Sequence, residues 1–146
     1  MKVFLAALTL TIVGVVSNCA TAQQPTDYRT AYEQSQVGEK PLLILVTATW
    51  CPPCQVMKKT TIPELMQKDA FKGFNYATVD LDEEQVLGRQ LIGDRGVPQL
   101  IMFEKDGDQW VRRYLTGIQS PQTVEAFVAQ AGAVRMANVE SGVVEK

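Results

Sequence analysis

The sequence has no histidine and only three cysteines, Cys19, Cys51 and Cys54. Zinc and related metals draw most of their ligands from those two residue types, so a metal site within one copy of the chain lacks donors. No excess of positive charge is present either: 14 basic residues stand against 16 acidic ones, a formal net charge of −2. Without a basic stripe to neutralise phosphates, nucleic acid is not expected as a partner. Long apolar runs are also missing. The stretch from Val3 to Val16, 14 residues of apolar, Thr and Gly type, is too short to span a bilayer comfortably. What remains, 46% apolar and 21% charged over 146 residues, suits one globular domain with a single core.

The short apolar run is instead the centre of a leader. Lys2 gives a positive start, and Ala20-Thr21-Ala22 is a small-x-small cleavage site, so residues 1–22 read as a secretory signal peptide. The expected mature domain is 23–136, with 137–146, which carry no periodicity, as a loose tail. The stretch Val16-Ser17-Asn18-Cys19 is a rival, a lipobox-like site that would make the chain a lipoprotein through Cys19, although Asn18 stands where a small residue is usual. Either route, or an uncleaved anchor, exports the domain to a periplasmic or other extracytoplasmic space. Disulfides persist there unless something reduces them.

Trp50-Cys51-Pro52-Pro53-Cys54 follows the apolar run Leu42-Leu43-Ile44-Leu45-Val46. With Cys51 at the N-cap of a helix starting at Pro52, the two Cα atoms lie one turn, about 5 to 6 Å, apart, which suits a disulfide. Unpaired N–H groups and the positive dipole end at that turn lower the pKa of a thiol on Cys51. Cys51 is therefore the candidate nucleophile and Cys54 the resolving thiol. Pro52 and Pro53 are tolerated because the first helical N–H groups lack partners, which leaves those of Cys54 and Gln55 to face the sulfur. Pro53 does disfavour helical geometry at Pro52. A purely structural disulfide closing so short a loop would constrain the unfolded chain only weakly.

The rest of the chain supplies an alternating order of elements. Thr26 is expected to N-cap a helix from Asp27 to about Gln36, with Tyr28, Ala31 and Tyr32 on its packed face. Residues 42–49, apolar on both faces, read as a buried central strand. Val56, Met57, Ile62, Leu65 and Met66 extend the helix after the cysteines past Lys68, and Pro63 should kink or break it. A second strand over 74–81 leads to Asp80, Asp82, Glu83 and Glu84, which read as capping and solvation at the start of a helix over 82–92. Asp106-Gly107 marks a hairpin joining strands 99–104 and 110–115. Gly117 ends the second, and Ser120-Pro121 opens a last helix carrying Val124, Phe127, Val128 and Ala131. This order specifies an α/β sandwich with parallel strands first and an antiparallel hairpin last.

With those elements placed, the chain resembles the thioredoxin superfamily over roughly residues 26–132. The resemblance rests on Trp50-Cys51-Pro52-Pro53-Cys54 after the first core strand, Gly96-Val97-Pro98 before the third, and Gly117 ahead of the last helix. The stretch from Trp50 to Thr61, with Met57 and Lys59, looks most like the exported thioredoxin-like domains of thiol:disulfide interchange proteins. The resemblance implies a three-layer sandwich with a mixed central sheet and an antiparallel C-terminal hairpin. It implies a Cys51/Cys54 pair that exchanges electrons with protein thiols through a mixed disulfide, using no cofactor and no metal. It further implies a cis-Pro98, Val97 pairing its backbone with a bound peptide, and Trp50 beside the site. The implied partners are protein thiol or disulfide substrates and a membrane electron donor, met by a monomer. Three positions depart from the family pattern: Leu45 replaces a buried acid, Thr78 a basic residue on the neighbouring strand, and Gln99 the threonine that often follows the cis-proline. Two other functions stay open on the sequence, a redox-inert peptide-binding module using the Val97 edge and a maturation factor serving one cytochrome or metal-site client.

Overall fold

The computed structural model describes residues 26–38 and 40–141, with side chains through residue 131. The expected signal peptide, Cys19 and residues 142–146 lie outside that range. The element order is α1 (Tyr28–Gly38), β1 (Leu42–Thr47), α2 (Pro52–Val56), a π-helical turn (Met57–Thr61), α3 (Ile62–Gln67), β2 (Asn75–Asp80), α4 (Gln85–Ile92), β3 (Gln99–Asp106), β4 (Gln109–Thr116) and α5 (Pro121–Ser141).

The strands form one sheet in the order β2-β1-β3-β4. β1 runs parallel to β2, with Leu45 opposite Thr78 and Thr47 opposite Asp80. It runs antiparallel to β3, which returns through a tight turn into β4. All six residues of β1 are buried because helices cover both faces of the sheet. On one face Leu43, Leu45, Tyr76, Leu100 and Met102 pack against Met57, Ile62 and Leu65 and against Val124, Phe127 and Val128 of α5. On the other, Leu42, Ile44, Val46, Ala77, Val79 and Ile101 meet Ala31 of α1 and Leu91 and Ile92 of α4. The alternation of β1 between the two clusters is the period of two of a strand. The result is the three-layer α/β sandwich with a mixed sheet expected from the sequence.

Several boundaries differ from expectation. Thr26 does not cap α1: it forms a β-bridge to Ala77, its N–H donating to the Tyr76 carbonyl at 3.1 Å. Asp27 takes the cap, accepting the Thr30 N–H at 3.0 Å, and that bond holds its carboxyl below the usual carboxylate range. Helix α4 starts at Gln85, not at residue 82, because the N–H groups of Glu83 and Glu84 fold back onto the Asp80 carbonyl. In the hairpin Asp106 is still paired, with Gln109, and the connecting residues are Gly107 and Asp108, Gly107 taking a positive φ of 61°.

Pro63 neither breaks nor sharply ends the helical stretch after the cysteines. The chain widens instead into the π turn, in which the N–H of Ile62 reaches the Met57 carbonyl, a five-residue step. A single wide turn lets the proline enter at the start of α3, where its missing donor has no partner to lose. Of the stretch 137–146 expected as a loose tail, residues 137–141 continue the last helix, and 142–146 lie outside the described residues. The backbone stays helical through Ser141, since Ala133 to Ser141 contain neither glycine nor proline and several good helix formers.

Candidate active site

The loop leaving β1 closes with the Cys51 N–H on the Ala48 carbonyl at 3.3 Å, which puts Cys51 in extended backbone as the N-cap of α2. Pro52 is helical despite Pro53 after it. Cys51 and Cys54 are joined as a disulfide, their Cα atoms 5.2 Å apart. The Cys54 N–H points at the Cys51 sulfur at 3.2 Å. The Gln55 N–H does not share that contact; it donates to the Cys51 carbonyl at 3.3 Å. One backbone donor rather than two therefore faces the sulfur.

Both cysteines are more enclosed than the sequence suggests. Cys51 is 4% exposed and Cys54 fully buried, packed with Ala48, Leu81 and Val97. What access remains is to Cys51. Its sulfur lies 3.7 Å from the Val97 carbonyl oxygen, and the Val97–Pro98 peptide bond is cis. The antiparallel course of β3 brings these residues to the same sheet end as the cysteines, 46 positions earlier in the chain. The Pro98 carbonyl in turn accepts the Gly117 N–H at 2.8 Å. Gly117 has φ 83°, the left-handed region that favours glycine.

Trp50 lies beside the disulfide, 68% exposed. Its indole N–H donates to Asp82 at 3.1 Å, and the Thr49 N–H donates to the other oxygen of that carboxylate at 2.8 Å, joined there by the Thr49 hydroxyl. Asp82 thus ties down the loop in front of Cys51 from the end of β2. The Thr49 hydroxyl and N–H, then the Trp50 indole, keep its carboxyl below the usual range. Asp80, two residues earlier, is buried. One oxygen accepts the Asp82 N–H at 3.1 Å, and the other lies 3.5 Å from the Lys58 ammonium and 3.4 Å from the Thr47 hydroxyl.

These two acids are what sequence reasoning missed. Asp80 and Asp82 read as a solvated helix start, whereas one is buried and the other holds Trp50. Their spacing carried a signal, because residues two apart at a strand end face the same side. Leu45 is fully buried in the core under the active-site helices, and Thr78 opposite it exchanges a hydroxyl contact with Tyr76 at 3.1 Å. Gln99 is buried with its amide N–H on the Thr116 hydroxyl at 3.2 Å. No cluster of three potential metal ligands occurs among the described residues.

A family model described as thioredoxin-like matches residues 21–105. The chain belongs to the thioredoxin-like family. It is 32% identical over 98 residues to a thioredoxin of Alicyclobacillus acidocaldarius, covering 67% of this chain and 88% of that one. Over 84 residues it is 32% identical to a thioredoxin of Aspergillus fumigatus, covering 58% and 74%. A thioredoxin structure from Thermus thermophilus superposes with a TM-score of 0.62 at 20% identity, over 75% of this chain and 86% of that one, a likeness of fold. With a Cys-x-x-Cys pair at disulfide distance in this setting, the thioredoxin-like chain is a thiol:disulfide oxidoreductase. Such a pair works by attack of a thiolate on a disulfide sulfur, through a mixed disulfide that the second thiol resolves.

Proposed function

We propose that the protein reduces disulfides of exported client proteins, with Cys51 attacking, Cys54 resolving, and Trp50, Val97 and Pro98 forming the rim on which the client lies. The observation that carries this reading is the position of the Cys51 sulfur. It lies at a helix start, 3.2 Å from the Cys54 nitrogen, and against the carbonyl of Val97. A client backbone laid along Val97 would present its own disulfide to Cys51, the exposed Trp50 ring covering one side.

The reducing direction is supported by the scarcity of groups that stabilise a thiolate. Pro52 and Pro53 have no N–H, one backbone donor reaches the sulfur, and no histidine stands between the cysteines. Lys58, one turn beyond Cys54, has its charge offset by Asp80 at 3.5 Å. A pair so placed holds its reduced form weakly and gives electrons up. The export signal expected in residues 1–22 supports a reaction outside the cytosol, where a membrane electron donor would keep the monomeric domain reduced. Equilibrating the domain with glutathione buffers, read by Trp50 fluorescence, should give a potential nearer the roughly −270 mV of thioredoxin than the roughly −120 mV of the strong bacterial oxidant. A value at the oxidising end would reverse the direction to disulfide formation.

A further inference from the structure

Asp80 is a buried carboxylate that the exchange reaction, as described so far, does not use. Hydrogen bonding within its turn occupies one oxygen, the one that accepts the Asp82 N–H. The second oxygen faces Thr47 and Lys58. Thr47 and Asp80 are register partners on adjacent strands, in step with Leu45 and Tyr76 on the sheet face that Met57 of the π turn and Ile62 of α3 cover. The residues that follow them turn to the cysteines: Ala48 and Leu81 pack directly on Cys51 and Cys54. From the helix side, Lys58 follows Cys54 by four positions, one turn along the same rod. The Lys58–Asp80 pair therefore bridges helix and sheet one turn beyond the resolving cysteine, with Asp80 buried and the Lys58 side chain 37% exposed.

Resolution poses a problem that this pair answers. Cys54 is fully buried, and a buried thiol resists ionisation, yet only its thiolate attacks. We propose that Asp80 receives the Cys54 proton during resolution and that Lys58 positions and offsets the Asp80 charge between turnovers. In that step the Cys54 sulfur bonds to the Cys51 sulfur and the bond from Cys51 to the client sulfur breaks. The client leaves as a thiolate that takes a proton from solvent, and Asp80 returns its proton to solvent past the exposed Lys58. Among the described residues, the charged groups around Asp80 include Lys58 from the helix side and Asp82, Glu83 and Glu84 from its own turn, whose N–H groups donate to Asp80. The inference rests on the order of attack proposed above, Cys51 first.

Reduced protein mixed with a chromogenic aryl disulfide separates the two steps: a first equivalent of aryl thiolate reports attack by Cys51, and a second reports resolution by Cys54. Asp80→Asn should leave the first phase unchanged and slow the second about tenfold or more at neutral pH, with the deficit closing as pH rises and hydroxide takes the proton. Lys58→Met should shift the midpoint of the second phase along the pH axis without moving the first. A second phase that keeps its wild-type rate and pH profile in both variants, or an Asp80→Asn deficit that is the same at every pH, would overturn the proposal. If Asp80→Asn does not fold, the Lys58→Met profile decides alone. A first phase lost in Cys54→Ser but kept in Cys51→Ser would instead overturn the order of attack itself.

Discussion

Replacing Cys51 by serine removes the sulfur that lies against Val97 and should abolish exchange, whereas Cys54→Ser should accumulate a mixed disulfide with clients, visible on non-reducing gels. Alkylation of the reduced protein at neutral pH should label Cys51 first; preferential labelling of Cys54 would reverse the two roles. Asp82 gives a second residue-level test. Its folded-state carboxyl is held below the usual range by Thr49 and Trp50, so its contribution to stability is present above the unfolded-state value, about 3.9, and is lost as pH falls toward the lower folded-state value. In a Trp110→Phe background, Trp50 emission should therefore change in that acid range, and Asp82→Asn should remove the transition. The cysteine turn was legible from sequence because everything that shapes it, the three-residue spacing, the prolines and the helix start, is local. Asp80 and Asp82 were not, because their partners Thr47, Thr49 and Trp50 lie 32 or 33 positions away and meet them only through the register of β1 on β2.

Between elements, two close approaches hold the site together. Helix α4 comes near enough to the chain leaving β2 that a Cβ on Gly88 would lie 2.4 Å from a Leu81 methyl, and Leu81 packs on the disulfide. Gly88→Ala must push that methyl aside, at about 1 to 3 kcal/mol, while alanine returns about 1 kcal/mol of helix propensity, so a net loss of at most about 2 kcal/mol is expected by denaturant unfolding, with Trp50 emission little disturbed. The π turn grips the loop after β4: the Gln119 N–H donates to the Met57 sulfur at 3.3 Å, and the Thr61 hydroxyl donates to the Gln119 carbonyl at 3.3 Å. Thr61→Val keeps the shape but removes that donor, and should lower stability by about 1 kcal/mol. The existence and order of the elements followed from apolar periodicity and turn residues. Their ends did not, since Thr26, Glu83 and Glu84 spend their N–H groups on strand and turn partners that no local pattern reveals.

Taken as one cooperative unit, the domain has its hydrophobic interior directly under the reactive helix. Leu45 is fully buried there, so Leu45→Asp, which sets a carboxylate among Leu43, Met57 and Leu100, should destabilise the protein by at least about 3 kcal/mol. An unchanged unfolding midpoint would mean that β1 is out of register. The disulfide itself closes a loop of only three positions, so it barely restricts the unfolded chain. Oxidised and reduced protein thus unfold to nearly equivalent ensembles, and any difference between their unfolding free energies measures how strongly the fold prefers one redox state over the other. The thermodynamic cycle converts that preference into electrical units at about 30 mV for each 1.4 kcal/mol. For the reducing poise proposed above, the oxidised form should have the higher denaturation midpoint, so that a pair of unfolding curves reads the direction of electron flow without any client, donor or electrode.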